Sequence, residues 1–334
     1  MTKKQFGALR IGLVSDALTA ACLAPECCVV QLTPFNYPYV LRFWKPDLIL
    51  VESAWEGRRG AWRYRIAAYP DHPRRNNNAL RGLVRLAREQ GIPTAFWNKE
   101  DGTHFERFID SASLFEHVFT VDANSIPRYR AVLGDDRTVQ ALMFAVQPRI
   151  HAFQGFDFRY RRAAFVGSYS RHLHGARRAR QDMLFAAASG IGLTLFDRNS
   201  ARRSPNYRVP PQPHLEVLAR VPYSRTADIY RHYVASLNVN TVEDSDTMFS
   251  RRLVEILGCA GIAVTTPARS VERLFAPYCH VVETPGEARE LYDRLALGPA
   301  PDDLARAREG ADYVQREHTW SHRLAQLLAA CGLR

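Results

Sequence analysis

Apolar residues recur along the first half of the chain in short runs, separated by polar stretches of helical character. Residues 10–15 (RIGLVS), 28–32 (CVVQL) and 47–53 (DLILVES) each read as a strand, the last opened by the Lys45-Pro46 turn. Residues 80–90 read as an amphipathic helix, and Gly91 ends the element. Strands follow at 92–97 (IPTAFW) and 118–122 (VFTVD). Short apolar strands alternating with helices predict a parallel, doubly wound α/β sheet.

The alternation restarts after Gln147-Pro148. Strands are expected at 162–168, 192–197, 235–240, 262–266 and 280–283, with a helix opening at 223–228 and another from Asp302 to the terminus. The expected organisation is two Rossmann-like domains, 1–150 and 151–334, with the last helix crossing back to the first. Ligands would meet the C-terminal ends of the strands, in a cleft faced by both domains.

The densest chemistry lies in Ser245 to Thr266, SDTMFSRRLVEILGCAGIAVTT. Ser245, Asp246 and Thr247 are candidate helix caps. Phe249, Leu253, Ile256 and Leu257 recur on a core-facing side, and Gly261 ends the helix. Glu255 stands four residues after Arg251 and three after Arg252, so the three are expected to share a solvent-facing side. A helix N-terminus flanked by arginines suits a diphosphate. The plainer alternative for Arg251 and Arg252 is a solvated helix face paired with Glu255.

A second polar cluster, Trp97-Asn98-Lys99-Glu100-Asp101, follows a buried strand directly. Glu100 and Asp101 are candidates for a general base, or for orienting hydroxyls, and His104 is a third, since imidazole titrates near neutrality. The alternative is a loop held by its own side-chain caps. Asp244-Ser245-Asp246 has the spacing of a metal-nucleotide motif, but its place before a helix with arginines favours capping. No metal ligand set is expected.

The net charge of +11 over 334 residues is carried mostly by arginine. Such a balance admits nucleic acid, an anionic membrane surface or phosphate-bearing substrates. No nucleic-acid-binding motif accompanies it, so no nucleic-acid partner is expected. No uncharged run is long enough to cross a bilayer. The six cysteines show no paired C-x-x-C spacing and read as reduced thiols, and the N-terminal residues show no extended apolar stretch. A cytoplasmic location is expected.

Six segments together carry a resemblance: PDLILVESAW (46–55), GIPTAFWNKED (91–101), FTVDA (119–123), AAFVGSY (163–169), LNVNTVEDSDTMFSRRLVEILGCAG (237–261) and EHTWSHRL (317–324). In this order they resemble the CgeB-like, spore-maturation-type glycosyltransferases of GT-B architecture, from about residue 40 to the end. The resemblance implies transfer of a sugar from a nucleoside-diphosphate sugar, with retention and without an obligatory cofactor or metal. It implies that Glu255 bonds the donor ribose and that backbone N–H groups of Thr247 and Met248, beside Ser245, meet the diphosphate. Gly167, Ser168 and Tyr169 would approach the same phosphates, and Tyr223 the nucleobase. Many retaining relatives place an Arg…Lys pair after this strand, whereas this chain has Ser168, Arg171 and His172. Arg251 and Arg252 are the expected substitutes, Arg252 in a catalytic role, with Arg171 and Arg198 behind them. The acceptor is not fixed. A non-catalytic nucleotide-sugar-binding protein on the same fold is the alternative.

Overall fold

The computed structural model describes residues 5–333. The chain divides into two compact units, residues 1–143 with 246–248 and 320–334, and residues 144–245 with 249–319. In the first unit the strands are β1 (Phe6–Val14), β2 (Cys27–Gln31), β3 (Leu48–Glu52), β4 (Thr94–Asn98), β5 (His117–Thr120) and β6 (Thr138–Ala141), in the order β2-β1-β3-β4-β5-β6. All pairings are parallel. The strand order reverses between β1 and β3, which makes that crevice the unit's ligand-prone end. All five residues of β3 and of β4 are buried, so their continuous apolar runs reflect a sheet covered on both faces.

Helices α1 (Ala17–Leu23), α2 (Tyr37–Tyr39), α3 (Asn78–Glu89), α4 (Asp101–Ala112) and α5 (Ile126–Leu133) complete this unit's crossovers, and α2 continues into a π-helical turn, Val40–Trp44. Helix α3 is amphipathic and buries Leu80, Leu83, Val84 and Ala87. Fully burying each leucine is worth about 2 kcal/mol. Asn77, before α3, donates through Nδ2 to Asp110 Oδ2 (2.7 Å) and accepts from Arg81 Nε (2.9 Å), fixing the helix start against α4.

In the second unit the strands are β7 (Tyr160–Gly167), β8 (Leu193–Asp197), β9 (Leu215–Ala219), β10 (Tyr233–Asn238), β11 (Ala263–Thr265) and β12 (His280–Val281). Their order is β12-β11-β10-β7-β8-β9, again all parallel, with the reversal between β7 and β10. Counted within the unit this is 6-5-4-1-2-3, the dinucleotide-binding strand order. Helices α6 (Gly175–Ala187), α7 (Thr226–His232), α8 (Arg251–Gly258), α9 (Arg269–Leu274), α10 (Pro285–Leu297) and α11 (Pro301–Glu317) flank it.

The terminal helix expected from Asp302 onward is interrupted. After α11 ends, Thr319 forms a parallel bridge with Val146, and a separate helix α12 (Trp320–Ala330) belongs to the first unit. There Trp320 meets Trp97 edge-on at 5.5 Å, and Arg323 Nε donates to Met143 O (2.9 Å). Among the described residues no helix is long and apolar enough to cross a membrane.

Candidate functional site

In the second unit, β7 and β10 lie side by side and run out at Gly167 and Asn238, where the strand order reverses. Arg252, the second residue of α8, fills that point. Its Nε donates to Val166 O (2.6 Å), its Nη1 to Asn238 Oδ1 (3.4 Å), and its guanidinium lies 4.3 Å from the Phe165 ring centre. A Cβ on residue 167 would come within 2.5 Å of the Phe165 ring and 2.7 Å of Arg252 Nη2, so glycine leaves room for both at the strand end.

Loss of water pulls the Arg252 guanidinium down to about 10; Arg177 and Arg198 push the same way, against Tyr230 and Glu255. Arg177, in the first turn of α6, is also drawn to about 10, by burial and then by Arg198 and Arg180. Neither Arg177 nor Arg252 has a carboxylate within ion-pair distance among the described residues, whereas Arg180 pairs with Glu243 at 2.7 Å. Mutually repelling, partly desolvated guanidiniums at a sheet's switch point are an arrangement that an anion stabilises. Arg177 is not singled out by the sequence. The one signal that could have found it is its place in the first turn of α6, the helix that follows β7.

Glu255 is buried, at 5% exposure, not on a solvent-facing side as its spacing suggests. Its Oε1 accepts from the Tyr223 hydroxyl (3.0 Å) and faces Arg251 Nε (3.4 Å), while Oε2 accepts from Tyr230 (3.5 Å). Helix α8 is buried from Leu253 through Gly258, so the i,i+4 pair with Arg251 forms inside the unit. Behind Tyr223, His151 contacts its ring at 5.2 Å, and burial lowers the imidazole to about 4, keeping it neutral.

The caps expected at Ser245, Asp246 and Thr247 are not formed. The helix starts at Arg251, and the N–H of Ser250 is accepted by Asn240 Oδ1 (2.9 Å), a buried side chain just beyond β10. Ser245 is fully buried. Residues 246–248 belong to the first unit, where Thr247 Oγ1 donates to Val121 O (2.9 Å) and accepts from Ala123 N–H (2.8 Å). Thr247 and Met248 therefore do not lie on the first turn of α8. Ser168 O accepts weakly from Gln181 Nε2 (3.5 Å), and Tyr169 is buried with its hydroxyl donating to Asp182 (2.8 Å). Arg171 is exposed and donates through Nε to Arg208 O (3.0 Å); Arg198 donates its backbone N–H to Gly167 O (2.8 Å), which brings it beside Arg252.

The first unit carries a polar cluster at its own switch point. Glu52, the last residue of β3, is fully buried. Its Oε1 accepts the Asp16 N–H (2.7 Å), and its Oε2 accepts from the Thr19 hydroxyl and from Lys99 Nζ (2.7 Å). Asp16 in turn accepts the Gly57 N–H at 2.7 Å. Glu100 follows β4, with its N–H donating to Asn98 Oδ1 (3.0 Å). Burial raises the Glu100 carboxyl above its ordinary range; Lys99 and the Trp55 indole oppose this, and Glu52 and Asp16 add to it.

Asp101, the second carboxylate candidate of this cluster, is turned into the core. It is 2% exposed, its Oδ1 accepts from Tyr129 (2.7 Å) and Asn98, and burial raises it to about 7. Its carboxyl anchors the start of α4 to the core. His104 stacks edge-on against Trp55 at 5.4 Å. Among the described residues no group of three or more His, Cys, Asp or Glu side chains is placed to share a metal ion.

A family model described as glycosyl transferase-like matches residues 161–329, half of the chain. No curated protein matches in sequence. Among solved structures, Anabaena HepE, in complex with UDP and glucose, is 10% identical with a TM-score of 0.56, covering 97% of this chain and 91% of its own. A putative UDP-N-acetylglucosamine 2-epimerase from Listeria monocytogenes is 9% identical with a TM-score of 0.54, covering 97% and 95%. A UDP-forming trehalose-phosphate synthase from Burkholderia xenovorans is 16% identical with a TM-score of 0.51, covering 89% and 78%. At these identities the likeness is one of fold: two Rossmann-like units of the GT-B class.

Proposed function

The chain belongs to the glycosyl transferase-like family, and from that premise we propose that it transfers a sugar from a nucleoside-diphosphate sugar, with the diphosphate held by Arg252, Arg177 and Arg198. The observation that carries this reading is the convergence of these guanidiniums at the β7–β10 switch point. Cleavage of the sugar C1–O bond leaves charge on the diphosphate, and fixed cations in a water-poor site stabilise charge as it develops. The guanidiniums supply that charge themselves, which supports a metal-independent reaction. Arg252 is the proposed catalytic cation; Arg251 acts through its pairing with Glu255.

Glu255 and Tyr223 are proposed to receive the nucleoside, Glu255 sharing an oxygen with a ribose hydroxyl. The resemblance of the 237–261 segment to retaining enzymes supports retention of anomeric configuration. Glu100 is the proposed group that orients an acceptor hydroxyl, a role supported by its place in the polar cluster with Lys99, Glu52 and Asp16. Glu100→Gln is expected to lower turnover by about 10²-fold or more with little change in donor affinity; equal turnover in the variant removes Glu100 from the reaction.

A thermal-shift series with nucleoside diphosphates and their sugars tests the donor class. A ligand at 100 times its Kd stabilises the native state by about 2.7 kcal/mol, a readily visible rise in Tm. A panel in which no nucleoside diphosphate shifts the melt contradicts the proposal. Hydrolysis of the stabilising donor by the purified chain then separates an enzyme from a protein that only binds.

A further inference from the structure

The first unit exposes three aromatic rings in a row: Phe35 (79% exposed), Tyr39 (68%) and Phe43 (72%). Phe35 lies in the turn that leads into α2, Tyr39 ends α2 and Phe43 lies in the π-helical turn, and all three are turned outward. The inner side satisfies the core without them: Leu41 is fully buried, and Tyr37 and Val40 pack against the same cluster. The segment is also held rigidly. Thr33 N–H donates to Asn36 Oδ1 (2.7 Å) and Asn36 N–H to Thr33 Oγ1 (3.2 Å), fixing Phe35 at its start.

Cations flank the rings. Arg42 lies 5.4 Å from the Phe43 ring centre, and Lys45 ends the turn. The two, with Gln90 and Ile92, line a shallow hollow beside the aromatic row. Neither cation has a carboxylate within ion-pair distance among the described residues. On neighbouring α3, by contrast, Arg81, Arg85 and Arg88 pair with Asp110, Glu89 and Glu116. Lys45 has φ 51°, a left-handed conformation at a helix C-terminus where glycine or asparagine is the ordinary choice. The positive side chain is kept at a backbone position that disfavours it.

We propose that this face docks on an anionic lipid bilayer, the rings entering the interfacial layer and Arg42 and Lys45 meeting headgroup phosphates. Aromatic side chains partition to the membrane interface, and nearby cations add attraction to anionic headgroups. The charge of the patch favours a phosphate-bearing surface over a second copy of this equally basic chain. Three such rings present roughly 450 Å² of exposed surface, short of the ~800 Å² per partner of a standard protein interface. The proposal is independent of the donor site.

Co-sedimentation of the full chain with vesicles tests it. Vesicles of phosphatidylcholine with about one third phosphatidylglycerol should carry the protein down, with much weaker binding to phosphatidylcholine alone. The triple variant Phe35→Ser, Tyr39→Ser, Phe43→Ser keeps every charge and should lose at least tenfold in partitioning. Arg42→Gln with Lys45→Gln should reduce the preference for anionic vesicles. Unchanged melting temperatures identify both variants as folded. Wild-type protein that stays in the supernatant overturns the proposal. So does a triple variant that binds as well as wild type, since binding then comes from net charge elsewhere. A concentration-dependent dimer that the triple variant abolishes, without vesicle binding, assigns the face to a second copy instead.

Discussion

The two switch points occupy equivalent places in their sheets and carry opposite charge. Between β1 and β3, Asp16, Glu52 and Glu100 gather around one lysine. Between β7 and β10, Arg252, Arg177 and Arg198 gather, with no carboxylate at ion-pair distance from Arg177 or Arg252 among the described residues. In the first unit the charges are largely satisfied internally: Glu52 has three partners and is closed to solvent. In the second the cations weaken one another. A doubly wound sheet therefore fixes where a ligand can sit, and side chains fix which ligand is wanted. The self-satisfied cluster reads as a positioned scaffold for Lys99 and Glu100, and the mutually repelling one is what supports the proposed diphosphate site.

The largest expected effect is at the point of frustration. Arg252→Ala should lower turnover by about 10² to 10³-fold, the scale for losing one preorganised donor to developing charge. Steady-state kinetics with the donor found by thermal shift would read it. A near-wild-type rate would remove Arg252 from the leaving group.

The next effect belongs to the first unit and is a stability effect. Asp101 titrates near 7 in the folded chain and near 3.9 when unfolded. The folded state thus holds the proton where the unfolded state releases it, and stability falls as pH rises from about 4 to 7. Asp101→Asn should flatten that slope and raise stability at pH 8 by a few kcal/mol, the full shift being worth about 4. Denaturant melts of both proteins at pH 5 and 8 measure it; a parallel pH dependence in the variant would mean that the group is ordinarily ionised.

A smaller effect tests whether the cluster acts as a unit. Arg177→Gln should weaken nucleoside-diphosphate affinity about ten- to a hundredfold, one charge-assisted contact being worth roughly 1.5 to 3 kcal/mol. Affinity that rises instead would show that relief of repulsion outweighs the lost contact.

Much of the fold was legible because buried parallel strands advertise themselves as continuous apolar runs, as β3, β4 and β8 do. Strands β6 and β9 were not, since edge strands that stay partly or largely exposed carry no such run. The start of α8 was misplaced because Ser245, Asp246 and Thr247 are strong local caps, while the group that receives the Ser250 N–H is Asn240, ten residues upstream. The burial of Glu255 was hidden for a related reason: i,i+4 spacing describes an isolated helix, and α8 is enclosed. Arg177 was hidden by abundance, since one arginine among 45 lysines and arginines stands out only when its neighbours are known. The break at His318-Thr319 has neither glycine nor proline to announce it; a bridge to Val146 supplies it.

The central claim is that the β7–β10 switch point binds the diphosphate of the donor. Calorimetric titration of the stabilising nucleoside diphosphate, and of its monophosphate, into wild type and Arg177→Gln tests it most directly. The account predicts that the diphosphate binds at least tenfold more tightly than the monophosphate and that Arg177→Gln removes most of that difference. Equal affinity for the two nucleotides in wild type, or a difference left intact by the substitution, would contradict it.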